Sequence, residues 1–147
     1  MRIKTILVPT DFSEHAQRAL EKACDLAAEL GARLYLLHVR TGSALRIAVK
    51  EGLLDGASTD EELEKAVEQL IEQRFSQMLS GIDRSQIAIE HTWRRGEPGA
   101  VIAAYAKEIG ADLVVVGRRG AGLIEDMRAA VLGSVAESVI RKSPCEL

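Results

Sequence analysis

Aromatic side chains make up only 3 % of the 147 residues, which leaves few flat faces for stacking bases. The formal net charge of −3 removes the broad positive field of a general nucleic-acid binder. Two cysteines, Cys24 and Cys145, are too few for a disulfide framework and fit reduced thiols. The three histidines, His15, His38 and His91, have no spacing that suggests a metal site. No apolar run is long enough to cross a membrane, and the N-terminus enters a strand-like Ile3-Lys4-Thr5-Ile6-Leu7-Val8 without the layout of an export signal. The expectation is a cytoplasmic protein with no stable membrane association and no nucleic-acid partner. There is also no Gly-x-Ser-x-Gly elbow, no Gly-x-x-x-x-Gly-Lys-[Ser/Thr] loop and no pair of adjacent acids after the first strand. Those absences speak against a serine hydrolase, a P-loop enzyme and a phospho-receiver.

What is present is an alternation of apolar strands with amphipathic helices. Residues 3–9 form a buried strand, and Ser13 caps a helix whose inward stripe is Ala16, Leu20, Ala23, Cys24, Ala27 and Leu30. Gly31 ends that helix, and residues 33–40 make a second strand. A short helix is expected within 44–50, in a connection interrupted by Gly42, Gly52 and Gly56. Thr59 with Glu62 makes a capping box for a helix carrying Leu63, Ala66, Val67, Leu70, Ile71 and Phe75, ended by Gly81. A third strand spans 87–93, and Pro98 opens a helix with Val101, Ile102, Tyr105, Ala106 and Ile109 inward, stopped by Gly110. Residues 112–117 form the fourth strand, and 134–142 a last helix with Ser134 and Glu137 as a second capping box. This pattern predicts one α/β domain over residues 1–147, with a mainly parallel sheet and helices on both faces.

Two glycine clusters mark the candidate site. Leu113-Val114-Val115-Val116 runs into Gly117-Arg118-Arg119-Gly120-Ala121-Gly122, and Gly133-Ser134-Val135 opens the last helix. A strand, a glycine-rich turn and a hydroxyl at a helix start are the parts of a phosphate cradle. In such sheets ligands lie beyond the carboxyl ends of strands, so Pro9-Thr10-Asp11 and Gly117 are the ends to watch. Asp11 is either an acceptor for ribose hydroxyls or a turn residue before the first helix. Gly117 and Gly120 serve either a backbone approach to phosphate or a tight turn with positive φ. Ser134 is equally explained as a cap. Arg118 and Arg119 are phosphate partners or a solvated pair, with Glu125 and Asp126 nearby.

Taken in order, three blocks resemble the universal stress protein family. They are Ile6-Leu7-Val8-Pro9-Thr10-Asp11-Phe12-Ser13-Glu14, Gly110-Ala111-Asp112-Leu113-Val114-Val115-Val116-Gly117, and Leu132-Gly133-Ser134-Val135-Ala136-Glu137 through Pro144-Cys145. The resemblance implies an adenine nucleotide alpha-hydrolase-like fold with a five-stranded sheet ordered 3-2-1-4-5, or four strands and a vestigial fifth. It implies binding of ATP or AMP in some members, with Mg²⁺ held through the phosphates. Carried over, Asp11 holds ribose, the backbone at Val39 meets adenine, and Gly117, Gly120, Gly133 and Ser134 grip phosphates. Pro9, Thr10, Val116 and Val135 line the same pocket; the three residues by which the glycine loop of this chain exceeds the family spacing are either looped out, with Gly122 giving slack, or displace the cradle.

Two departures from the family pattern stand out. The family spaces its second and third glycines by nine residues, whereas twelve separate Gly120 from Gly133 here. Members also continue past Pro-Cys into an edge strand that pairs across a homodimer, whereas this sequence stops at Glu146-Leu147. The leading functional expectation is a nucleotide-binding stress-response module that passes its occupancy to a protein partner or a second copy. The alternatives are a slow Mg²⁺-dependent ATPase, for which no residue to orient water is identifiable, and an interaction protein without nucleotide.

Overall fold

The computed structural model describes residues 2–52 and 59–117. The chain divides into two compact units, Thr41–Gly81 and the remainder. In the larger unit four parallel strands, β1 (Thr5–Thr10), β2 (Arg33–Arg40), β3 (Ile89–Arg95) and β4 (Leu113–Val114), lie in the order β3-β2-β1-β4. That is the order expected for the first four strands. The fifth strand and the helix over 134–142 lie outside the described residues.

Helix α1 (Glu14–Leu30) joins β1 to β2, and α4 (Pro98–Ile109) leads from β3 to β4. These two crossovers run in opposite directions across the sheet. Since parallel crossovers are right-handed, they place α1 and α4 on opposite faces. Leu7, Leu37 and Val114 meet Ile102, Tyr105 and Ala106 of α4 on one face. Alternation turns Ile6, Val8, Leu34 and Leu36 to the other face, and all four are fully buried. The sheet is therefore apolar on both sides, as parallel sheets are.

Local chemistry sets the helix ends. The Ser13 hydroxyl accepts from the Ala16 N–H at 3.1 Å, and Gly31 closes α1 with φ 68°. The expected inner stripe of α1 is buried except Leu30, which is 45 % exposed; the chain turns at Gly31 and Ala32 is buried instead. In the smaller unit, α2 (Ala44–Glu51) is capped by Ser43 and α3 (Asp60–Ser80) by Thr59, whose hydroxyl accepts from the Glu62 N–H at 3.1 Å. Leu63, Val67, Ile71 and Phe75 are buried as their spacing requires.

β1, β3 and β4 differ in their limits from the sequence expectation; β1 spans Thr5–Thr10 rather than 3–9, and β3 begins at Ile89 rather than 87. β3 ends at Arg95 rather than 93 because it is held residue for residue against β2, from Leu34↔Ile89 to Arg40↔Arg95. β4 is cut to two residues instead of running to 117, and the cause lies in β1. Thr5 and Leu7 turn their carbonyls toward β4, accepting from Asp112 N–H and Val115 N–H, both at 2.9 Å. The next β1 residue facing that way is Pro9, which has no N–H to continue the ladder. Pairing of β1 with β2 continues through Thr10↔His38, so β4 alone is released.

Candidate functional site

That release falls at the carboxyl edge of the sheet, where the path of the chain reverses. From β1 it runs to β2 on one side, while β4 returns on the other, which is the switch point at which α/β sheets hold ligands. Three strand ends lie side by side on this edge: Pro9–Asp11, Val39–Arg40 and Val115–Gly117. Val116 is 39 % exposed there. Among the sequence-identified residues, Pro9, Thr10, Asp11, Val39, Val116 and Gly117 thus stand at the ends of three adjacent strands. Arg118, Arg119, Gly120, Gly122, Gly133, Ser134 and Val135 lie outside the described residues.

The β1–α1 turn is built from its own side chains. The Thr10 hydroxyl accepts from the Phe12 N–H at 2.9 Å, Asp11 Oδ1 accepts from the Ser13 N–H at 3.0 Å, and Ser13 then caps the helix. The two readings of Asp11 divide between its two oxygens. Oδ1 serves the turn, whereas Oδ2 is buried with no hydrogen-bond partner among the described residues. A buried carboxylate oxygen left bare costs about 1–3 kcal/mol or more. Asp11 Oδ2 is thus an acceptor for a donor that the described residues do not supply.

Phe12, next along, has φ 65°, a conformation that costs a non-glycine residue about 1–3 kcal/mol and clusters at functional sites. Its ring lies against the His38 imidazole with centroids 4.4 Å apart and planes tilted by 33°. His38 Nδ1 is 2.9 Å from the Thr10 carbonyl oxygen. A carbonyl only accepts, so Nδ1 carries the proton. His38 is a site residue that its place in a strand did not reveal, since only the Thr10↔His38 register brings it to the turn.

Gly117 does not bear out the reading of a tight turn with positive φ, and a packing reason for a glycine stands in its place. Its φ is not positive. A Cβ there would lie 3.1 Å from the His15 carbonyl oxygen and 3.2 Å from its carbon. The glycine lets the strand end pass close over the first turn of α1, at the positive dipole end of that helix. The glycine-rich segment thus begins beside a helix N-terminus, as a phosphate cradle requires.

Two further residues shape the edge. Arg40, the last residue of β2, is 2 % exposed, with its guanidinium carbon 5.7 Å from the Trp93 ring centroid. Asp112 anchors the start of β4, its Oδ2 accepting from the Lys4 and Thr5 N–H groups at 2.9 and 3.1 Å. No cluster of metal-ligating side chains occurs among the described residues. Cys24 is a buried thiol on α1, its pKa pushed up to about 11 by burial, with Asp25 and Glu21 adding to the shift.

The sequence pattern of the Universal stress protein family matches residues 2–147. Universal stress protein YxiE of Bacillus subtilis (strain 168) is 32 % identical over 147 residues, covering 95 % of this chain and 93 % of YxiE. Among solved structures, the universal stress protein from Archaeoglobus fulgidus in complex with dAMP is similar with a TM-score of 0.61 and 25 % identity, over 99 % of this chain and 96 % of that one. A universal stress protein in complex with cAMP has a TM-score of 0.57 and 25 % identity, over 100 % of this chain and 96 % of that one.

Proposed function

The chain belongs to the universal stress protein family, and on that premise we propose that it binds an adenine nucleotide, ATP or AMP, at the carboxyl edge between β1 and β4. The observation that carries the reading is Asp11 Oδ2, a buried acceptor at the carboxyl end of β1 for which the described residues supply no donor. A ribose hydroxyl supplies the missing donor, and a hydrogen bond to a charged acceptor is worth about 1.5–3 kcal/mol. The Asp11 carboxylate repels phosphate, so the sugar lies nearest it and the phosphates run toward the segment that begins at Gly117. The relatives bound to dAMP and cAMP support an adenine monophosphate as the smallest sufficient ligand.

In this reading Val39 offers backbone to the base, Pro9, Thr10, Val116 and Val135 line the pocket, and Gly117, Gly120, Gly133 and Ser134 with an arginine of 118–119 hold phosphate. Gly122 provides the slack that the longer 121–132 segment needs, and Mg²⁺, when present, is carried by the phosphates of ATP. The domain over 1–147 acts as a binding module that passes nucleotide occupancy to a protein partner or a second copy in the stress response. Calorimetric titration with AMP, ADP and ATP tests the proposal. Saturable heat with at least one of them is expected, and no heat together with no thermal shift for all three overturns it.

A further inference from the structure

We propose that His38 is a positioning residue for ligand capture, locking the β1–α1 turn so that Asp11 keeps one oxygen free for the incoming sugar. The inference rests on the nucleotide reading above and adds to it the part that keeps the site in shape before the ligand arrives.

Thr10 is held at two points, through its hydroxyl by the Phe12 N–H and through its carbonyl by His38 Nδ1–H. Phe12 is held through its N–H and by the imidazole against its ring. Asp11 lies between these two residues, and its direction follows from theirs. A left-handed phenylalanine persists only where its surroundings over-determine it. His38 contributes two of those constraints at once, one polar and one through its ring. If Phe12 relaxes to an ordinary φ, the peptide on either side rotates. Asp11 Oδ1 then loses the Ser13 N–H, and Oδ2 moves with it from its present place. His38 reaches the turn from the neighbouring strand, so the rigid sheet rather than the loop sets the geometry, as a preorganised site requires.

The two constraints separate by substitution. His38→Asn keeps an N–H donor near the position of Nδ1 and removes the ring. His38→Phe keeps a ring against Phe12 and removes the donor. AMP affinity by calorimetry and exchange of the Ser13 amide in ligand-free protein are measured for each, with Ile102→Val in the opposite core as a control for general loss of stability. His38→Phe is expected to weaken AMP roughly five- to tenfold, as one lost hydrogen bond does, and to speed exchange at Ser13. His38→Asn recovers most of both, and Ile102→Val changes neither. Wild-type affinity and unchanged Ser13 exchange in His38→Phe overturn the positioning role while leaving the nucleotide reading intact. Wild-type protein that takes up no AMP, ADP or ATP overturns the nucleotide reading, and the positioning role with it.

Discussion

Replacing Asp11 by asparagine separates what this residue does for the fold from what it does for a ligand. Asparagine keeps a carbonyl oxygen where Oδ1 accepts from the Ser13 N–H at 3.0 Å, so the turn retains its bond. At the position of the bare Oδ2 it places a neutral NH₂ group, which is cheaper to bury unpaired than a charged oxygen. Against that gain stands the loss of a negative charge near the N-terminus of α1, about 0.3–1 kcal/mol. The two contributions oppose, and the ligand-free variant is expected within about 1 kcal/mol of wild type, or roughly 2–4 °C in melting temperature for a domain of this size. Affinity is compensated only in part. The amide cannot accept at that position and only donates to the ribose hydroxyl oxygen, a neutral bond in place of a charge-assisted one, so AMP binding falls by about 1–1.5 kcal/mol, roughly 5- to 12-fold. Thermal melts and calorimetric titrations of both proteins give the two numbers. Unchanged affinity, or a melting temperature lowered by more than about 6 °C, would make Asp11 a structural residue and refute this division of labour.

Three further expectations follow from the same geometry. Gly117→Ala sets a Cβ 3.1 Å from the His15 carbonyl and is expected to cost about 1 kcal/mol by overpacking, with Gly117→Val costing more; denaturant midpoints measure both, and an alanine variant as stable as wild type contradicts the close approach. Pro9→Ala supplies the donor that β1 lacks toward β4, so the new amide at residue 9 should be protected from hydrogen exchange and AMP affinity reduced; an unprotected amide there would mean that the proline does not end the ladder. The raised pKa of Cys24, about 11 against an ordinary 9.0, favours the thiol form in the folded state. Its contribution to stability is therefore complete below pH 9 and is lost as pH rises toward 11; Cys24→Ala should flatten that decline in chemical melts between pH 8.5 and 11, and an identical slope would contradict it.

Much of the fold was legible because its signals are local. Ser13, Gly31, Thr59 and Pro98 mark helix ends through bonds or backbone angles within a few residues, and each does so in the structure. Strand order was carried by the family resemblance, which the β3-β2-β1-β4 arrangement matches. What sequence reading missed depends on register. The length of β4 is decided by a proline on a different strand, and the role of His38 by its pairing opposite Thr10. Glu97 was not foreseen as the cap of α4, though its carboxylate accepts from the Gly99 and Ala100 N–H groups at 3.0 and 2.7 Å. Glutamate is an uncommon cap, and here its longer side chain reaches the same amides. Asp11 was recognisable as a candidate, but the separate duties of its two oxygens required coordinates.

The most direct measurement is native mass spectrometry of freshly purified protein, alone and after addition of AMP or ATP, beside the Asp11→Ala variant. Wild-type protein is expected to carry one adenine nucleotide per chain, as purified or on addition, and the variant to carry far less. Wild-type protein that stays at its bare mass in the presence of excess nucleotide, or a variant loaded to the same extent, would contradict an adenylate held at Asp11.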